Sequence, residues 1–493
     1  MSSAPYVSSQ DLGTVWPVFA IAIASLLTLF VDLFAPAGRA RRGIAVAIGI
    51  LGLLAGGILT AQQYGHAFIA FSGAYSVGGF SVVFSEIAIL GAILTLALGL
   101  GIGRDDQVAG TTALLLWSTV GAILMAGANN LMMVFLGLEL LSLGLYCLCG
   151  ISARTSAREA AMKYLILSSM ASGFLLYGMA LIFGADGSVQ FSDLTVAPVN
   201  AMLLLGAGLF LVGIAFKLSL VPFHVWTPDV YEGAPLAVTA YMSVVTKAGA
   251  LAVFARFAYA ALPAQSANEI LIPIWVLAAL SMLVGNLAAL AQTDLKRLLA
   301  YSGIAQVGYI VVAFAGQSAL GLRYAIFYLA AYTFMNLGAF AVVAILSSPA
   351  TGSGQTHSTG SGQDGDGIIS IGQLAGLAQR RPWLAFALTF FLIGLAGLPP
   401  TAGFTAKVLI LASSVGAGYA WLAGVLIVGT AISAYVYFKI IRIMFVRVDE
   451  AHVKPLAIVR NPLPWISVAL CALAVFALGI LPIVPSDVLP LVK

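Results

Sequence analysis

Charge is what this chain has least of. Asp, Glu, Lys and Arg make up 8% of its 493 residues, against about 25% in an average soluble domain. Mean hydropathy is +1.06. A soluble protein this apolar would have no charged surface to keep it dispersed, which excludes a cytosolic enzyme, a nucleic-acid binder and a disordered scaffold. Cysteine is scarce too. Cys147, Cys149 and Cys471 lie in apolar segments, and a lone C-x-C is a poor metal or iron–sulfur site, so they read as small buried hydrophobes. Four histidines (His66, His224, His357, His452) are too scattered for paired haem ligation. No G-x-x-x-x-G-K-[ST] run is present, which argues against ATP as the driving force. No nucleophile–base arrangement and no dinucleotide fingerprint after a strand can be found. The chain carries no signature of chemistry that breaks bonds to supply energy.

What it has is long apolar runs, too long for barrel strands. They fall near 15–35, 43–62, 81–103, 111–127, 130–150, 160–183, 203–224, 235–260, 270–291, 298–316, 323–347, 383–412, 420–446 and 465–484. A bilayer-spanning helix takes about 20 residues, so the pattern predicts an all-α integral membrane protein of about fourteen transmembrane helices. The N-terminus has no basic stretch before the first run, which is therefore a span and not a leader. Connections are short except for 348–381, whose GSGQTHSTGSGQDGDG predicts a flexible loop. Of the 22 basic residues, 16 fall on one side of this topology, including Lys163, Lys296 and Arg297, and only Arg256, Arg323 and Lys493 on the other. The positive-inside rule then places both termini outside the cytoplasm. A missed helix would have scrambled the bias.

Three basic residues remain: Lys217, Lys247 and Lys407, each well inside an apolar run, as is Glu139. A charge at mid-bilayer costs about 2.5–3.5 kcal/mol, so the four together cost on the order of 10 kcal/mol. Leucine would pack as well. Such residues ordinarily face a polar cavity and mark an ion or proton path. Snorkelling lysines and a salt bridge that fixes packing are the structural alternatives. Two runs are interrupted: AFKLSLVPFHVWTPDVYEGAP by Pro222, Pro228 and Pro235, and LIGLAGLPPTAGFTAKVLI by Pro399, Pro400 and Gly403. Breaks survive in lipid only where protein or water satisfies the freed carbonyls. They lie in spans seven and twelve, five spans apart, which suggests two five-helix repeats, spans 4–8 and 9–13. The division expected is a three-helix segment 1–110, repeats at 111–260 and 261–447, and a C-terminal helix in 448–493.

A lysine held between desolvation and a carboxylate can exchange a proton near neutral pH. Glu139 is the modulating carboxylate, and Lys163 at the start of span six its expected first contact. Lys163 also fits an ordinary cytoplasmic flank. His224, seven residues after Lys217, is expected to link Lys217 to Lys247 through water, or simply to satisfy the break.

These residues carry a resemblance. FKLSLVPFHVWTPDVYEGAP, the downstream VVTKAG and LAGLPPTAGF are similar to the proton-antiporter-type membrane subunits of respiratory complex I, the NADH–quinone oxidoreductase, in the subunit N branch. A related set occurs in multisubunit Na+/H+ antiporters. The resemblance covers about residues 110–450. It implies inverted repeats and proton-transfer roles for Glu139, Lys163, Lys217, His224, Lys247 and Lys407. It implies no cofactor or metal in this chain, with FMN, iron–sulfur clusters and quinone in partner subunits. The partners it implies are other membrane subunits, including further antiporter-like ones, and membrane lipid. The implied location is a bacterial inner membrane. Many relatives read GFxGK where this chain reads GFTAK, with Ala406 in place of glycine. A Na+/H+ antiporter subunit, and a structural subunit with vestigial charges, stay open as alternatives.

Overall fold

The computed structural model describes residues 7–35, 38–98, 107–194, 199–262, 267–346, 370–448 and 462–483. Twelve described helices are long and apolar enough to cross a membrane. They are Trp16–Phe34, Arg39–Gln62, Gly79–Leu98, Val108–Gly127, Leu131–Cys149, Thr155–Asp186, Ala201–Leu218, Leu236–Arg256 with its π-turn Phe257–Ala261, Ala267–Leu290, Ala319–Leu346, Ala420–Phe445 and Pro462–Ile480. Leu295–Val312 fills the place of span ten, its first turn made more polar by Lys296 and Arg297. Span twelve is two half-helices, Pro382–Ala396 and Ala402–Gly416. Span seven ends early at Leu218 and resumes as the short helix Trp226–Gly233. Among the described residues this makes twelve full-length spans and two further segments, fourteen in chain order, with breaks in the seventh and twelfth.

Spans 4–8 and 9–13 repeat one plan. A helical hairpin comes first, then a long helix (Thr155–Asp186, Ala319–Leu346), a broken helix and another long helix. Five crossings are an odd number, so the second copy is inserted with the opposite orientation to the first. Both hairpins cross on glycine. A Cβ at Gly121 of span four would lie 2.4 Å from the backbone nitrogen of Leu141, and one at Gly285 of span nine 2.8 Å from that of Ala305. Small residues let transmembrane backbones touch, where packing and not hydrophobicity drives association. Gly121→Leu is therefore expected to abolish accumulation of the chain in membranes, read by immunoblot. Gly110→Leu, where nothing lies within 4 Å, should be tolerated.

Span eight is the axis of the molecule: every residue of Leu236–Arg256 is buried. Spans one and fourteen lie at the edges and expose Phe30, Phe34, Leu473 and other apolar side chains to lipid. A feature outside the sequence reading is a hairpin, Phe68–Ala70 paired antiparallel with Tyr75–Val77. Its strands are too short to show a period. It packs against the helical turn Ser9–Thr14, where Asp11 accepts from the N–H groups of Ser8 (2.7 Å) and Phe71 (2.9 Å). Those two donors hold the Asp11 carboxyl below its ordinary range.

The loop expected over 348–381 is shorter than that. Ser370 pairs with Asp294, and Ile371 donates to the carbonyl of Thr293 at 2.8 Å. A 3-10 turn Ile371–Leu374 and a helical turn Leu377–Arg380 follow. Ile371, Leu374 and Leu377 are buried and anchor this end. The Gly/Ser-rich stretch 351–367 lies outside the described residues, as do His357, His452 and the basic residues Arg104, Lys454, Arg460 and Lys493 of the charge tally.

Candidate functional site

The break in span seven brings the first charges together. The first half ends at Ser219, which adopts a left-handed backbone (φ 64°) and returns its N–H to the carbonyls of Ala215 and Phe216. The carbonyls of the last turn lose their helical donors. Lys217 sits in that turn, 1% exposed. Its Nζ donates to Ser142 Oγ at 2.6 Å and to Tyr164 OH at 2.9 Å, and lies 5.1 Å from the centre of the Tyr164 ring. Its main-chain carbonyl faces the other way and accepts from Lys247 Nζ at 3.0 Å. Lys247, 2% exposed, also donates to Ser219 Oγ at 2.6 Å and lies under the Trp226 ring at 5.4 Å. One residue thus presents its ammonium to span five and its carbonyl to the amine of span eight.

Glu139, half-buried on span five, accepts from Ser172 Oγ at 2.5 Å. Ser172, Ser168 and Lys217 line a common small pocket, with Leu138, Ala171 and Phe216 among its apolar walls. This pocket joins the carboxylate's partner to the lysine. Its space is about that of a single water molecule.

Lys407 is 4% exposed and repeats the arrangement. The first half of span twelve ends at Gly397, again left-handed (φ 82°). Lys407 Nζ donates to the carbonyls of Leu395 (3.2 Å) and Ala396 (2.9 Å) and lies 4.5 Å from the Tyr309 ring centre. Lys247 and Lys407 each seat an ammonium on the carbonyl end of a broken helix. A helix C-terminus carries about half a negative charge, so the fold supplies a counter-charge without a carboxylate.

Between Lys247 and Lys407 runs a row of neutral polar side chains. Ser243, one turn before Lys247, accepts from Asn336 Nδ2 at 2.5 Å. Tyr332 lies one turn before Asn336 on span eleven. Its hydroxyl would be 3.0 Å from a Cβ at Gly303 of span ten. Gln306, one turn beyond Gly303, accepts from Tyr328 OH and donates to the Leu395 carbonyl at 2.9 Å, the same carbonyl that Lys407 holds. Ser243, Asn336, Tyr332 and Gln306 are all buried. Asn336 Oδ1 and Tyr332 OH have no partner among the described residues; buried polar groups of this kind ordinarily bind ordered water.

One expected contact does not occur. Lys163 does not meet Glu139. Its Nζ pairs with Glu159 at 2.8 Å, one turn away, and with Asp229 at 3.0 Å. Asp229 also holds Arg297 at 2.8 Å, and Arg297 holds Glu232 at 2.7 Å. Lys163 faces the short helix after the break, and that helix offers it a carboxylate first. His224 is half-buried in the turn of span seven, where the Lys217 carbonyl and Ser219 Oγ accept from Lys247 directly.

The sequence reading also missed charged residues. Lys296 and Arg256 are buried, although their places near helix ends read as flanks. Arg256 is held by Asn129 Oδ1 (3.3 Å), the Ala126 carbonyl (3.4 Å) and the Phe80 ring (4.9 Å). Glu86 lies inside span three, its Oε1 buried and without a partner among the described residues; it is an acid within an apolar run, as Glu139 is. Of the cysteines, Cys149 and Cys471 are buried and Cys147 is exposed on the outer face. Among the described residues, no three His, Cys, Asp or Glu side chains could hold a metal ion.

Comparison with known proteins places these elements in a family. Residues 128–433 match the model described as NADH:quinone oxidoreductase/Mrp antiporter, TM. The NADH-quinone oxidoreductase subunit N 1 of Symbiobacterium thermophilum is 41% identical over 88% of both chains. Subunit N of Chloroflexus aggregans is 38% identical over 96% of this chain and 95% of its own. A chain of the respiratory complex I from Thermus thermophilus has the same fold, with TM-score 0.79 and 33% identity over 94% of this chain and 97% of that one.

Proposed function

Because the chain belongs to the NADH:quinone oxidoreductase/Mrp antiporter family, in its subunit N branch, we propose that it carries protons through the membrane arm of NADH–quinone oxidoreductase along its buried amines. Quinone reduction in partner subunits alters the charge facing Glu139. The Glu139 and Lys217 groups respond across the Ser172–Ser168 pocket. A change in the charge of Lys217 is felt at Lys247 through the carbonyl end they share. Protons pass from Lys247 along Ser243, Asn336, Tyr332 and Gln306, with ordered water between them, to Lys407. Lys163 and His224 act at the edges of this route, Lys163 through Asp229.

The observation that carries this reading is the paired seating of Lys247 and Lys407 on broken-helix carbonyl ends, joined by buried polar side chains. Packing alone does not call for such a row. The finer assignments rest on the same reading. Residues 1–110 form a flanking segment, 111–260 and 261–447 the two half-channels, and 448–493 the closing helix. Both termini lie outside the cytoplasm of a bacterial inner membrane, as the basic bias supports. FMN, iron–sulfur clusters and quinone sit in partner subunits, and the neighbours are other antiporter-like subunits and lipid.

Asn336→Leu tests the row without touching a titratable group. It leaves Ser243 without its donor and interrupts the polar path, at a cost of about 1–3 kcal/mol, or on the order of tenfold in transfer rate. The expected result is an assembled complex that oxidises NADH with quinone but moves fewer protons per NADH into vesicles. An unchanged ratio would remove Asn336 from the route.

A further inference from the structure

Lys296 is the second residue of Leu295–Val312, beside Arg297, and sequence places the two together in a cytoplasmic flank. The structure separates them. Arg297 reaches the outer face of the short helix Trp226–Gly233 through Asp229 and Glu232. Lys296 is fully buried, at 0% exposure, and its Nζ donates to the carbonyl of Ala234 at 2.7 Å. Ala234 is the residue on which that short helix ends. Lys296 therefore occupies the same kind of seat as Lys247 and Lys407, an ammonium on the carbonyl end of an interrupted helix. It does so across the seam, because span ten is in the second repeat and the short helix in the first.

The short helix is what shapes the surroundings of Lys247. It carries Trp226, whose ring covers Lys247 Nζ at 5.4 Å and whose indole N–H donates to the Phe216 carbonyl at 3.0 Å. It also carries Thr227, whose hydroxyl donates at 2.7 Å to Ser219 Oγ, the acceptor of Lys247. A shift of this helix moves the ring, the acceptor and the amine together. Lys296 grips it from inside while Arg297 grips it from outside.

We propose that Lys296 is a positioning residue for proton transfer at Lys247. It is a fixed cation by which the second repeat sets the placement of the short helix of the first, and it keeps its proton and passes none on. This rests on the reading that Lys247 lies on the proton route.

The test uses the intact complex in membrane vesicles, with assembly checked by native electrophoresis and protons counted per NADH across pH. Lys296→Met should lower the ratio at least about twofold, since misplacing a transfer group by an ångström slows it. Lys296→Arg should restore most of the ratio with the wild-type pH profile, because arginine can hold the Ala234 carbonyl but cannot release a proton. Wild-type pumping in Lys296→Met would overturn the proposal. So would an assembled Lys296→Arg complex as defective as Lys296→Met, the behaviour of a proton carrier. Thr227→Val, nearly isosteric, loosens the same helix from its other end. Its defect should not multiply with that of Lys296→Met, and independent, multiplying defects would also overturn the proposal. This arm decides if the arginine variant does not assemble. Lys247→Met is the control. Normal pumping there sinks the proton route itself, whereas a defect there with normal Lys296→Met pumping sinks only the present inference.

Discussion

A complex carrying Lys217→Ala should assemble, still receive electrons from NADH, and either pump fewer protons per NADH or turn over slowly. Assembly survives because the substitution removes a buried charge along with its partners' obligations. Ser142 keeps its own bond to the Leu138 carbonyl at 2.5 Å, and removing a desolvated ammonium relieves a cost of several kcal/mol. Transport is expected to fail because, on the proposed route, Lys217 links the Glu139 pocket to Lys247. The Lys217 carbonyl stays in place, so Lys247 keeps its seat, but the charge that reports on the carboxylate is gone. Lys217→Arg separates this from a packing role. Arginine keeps the charge and can reach Tyr164, yet never deprotonates, so it should assemble and fail as well. Pumping at the wild-type ratio and the wild-type turnover rate in either variant, measured in reconstituted vesicles, would remove Lys217 from the route.

Gly397→Ala should be nearly as damaging, although it removes no titratable group. The residue lies at φ 82°, where a side chain costs about 1–2 kcal/mol. Its new Cβ would lie 2.6 Å from Lys407 Cδ and 3.2 Å from Nζ, so the lysine must shift from its seat on the Leu395 and Ala396 carbonyls. Displacement of a transfer group by about 1 Å can cost on the order of a hundredfold in rate. The expected result is an assembled complex with the pumping defect of a Lys407 variant. Gly424→Ala in span thirteen, with nothing within 4 Å, is the matched control and should pump normally. An unaffected Gly397→Ala complex would mean that the seating of Lys407 on the break does not matter.

Much of this arrangement is legible in the residues. Few charges and long runs dictate a helical membrane protein, and prolines at 222, 399 and 400 mark the breaks. Lys217, Lys247 and Lys407 declare themselves because no membrane helix tolerates an amine there without a reason. The partners are not legible. Lys163 lies close in sequence to Glu159, but its other carboxylate, Asp229, comes from a helix that exists only because span seven breaks. Lys296 reads as a flank because position near a helix end does not distinguish a snorkelling side chain from a buried one. Ser243, Asn336, Tyr332 and Gln306 carry no charge, so a search for charges passes over them. Amides within apolar spans such as FMNLGAF and SGIAQVGY are the signal that would have found two of the four.

The most direct test is a map of the assembled complex at a resolution that shows ordered water. Water density within hydrogen-bonding distance of Asn336 Oδ1 and Tyr332 OH, continuing from Ser243 to Gln306, is the expected result. A dry, hydrocarbon-packed gap between Lys247 and Lys407, in a map that resolves water elsewhere in the membrane arm, would contradict a proton route through this chain.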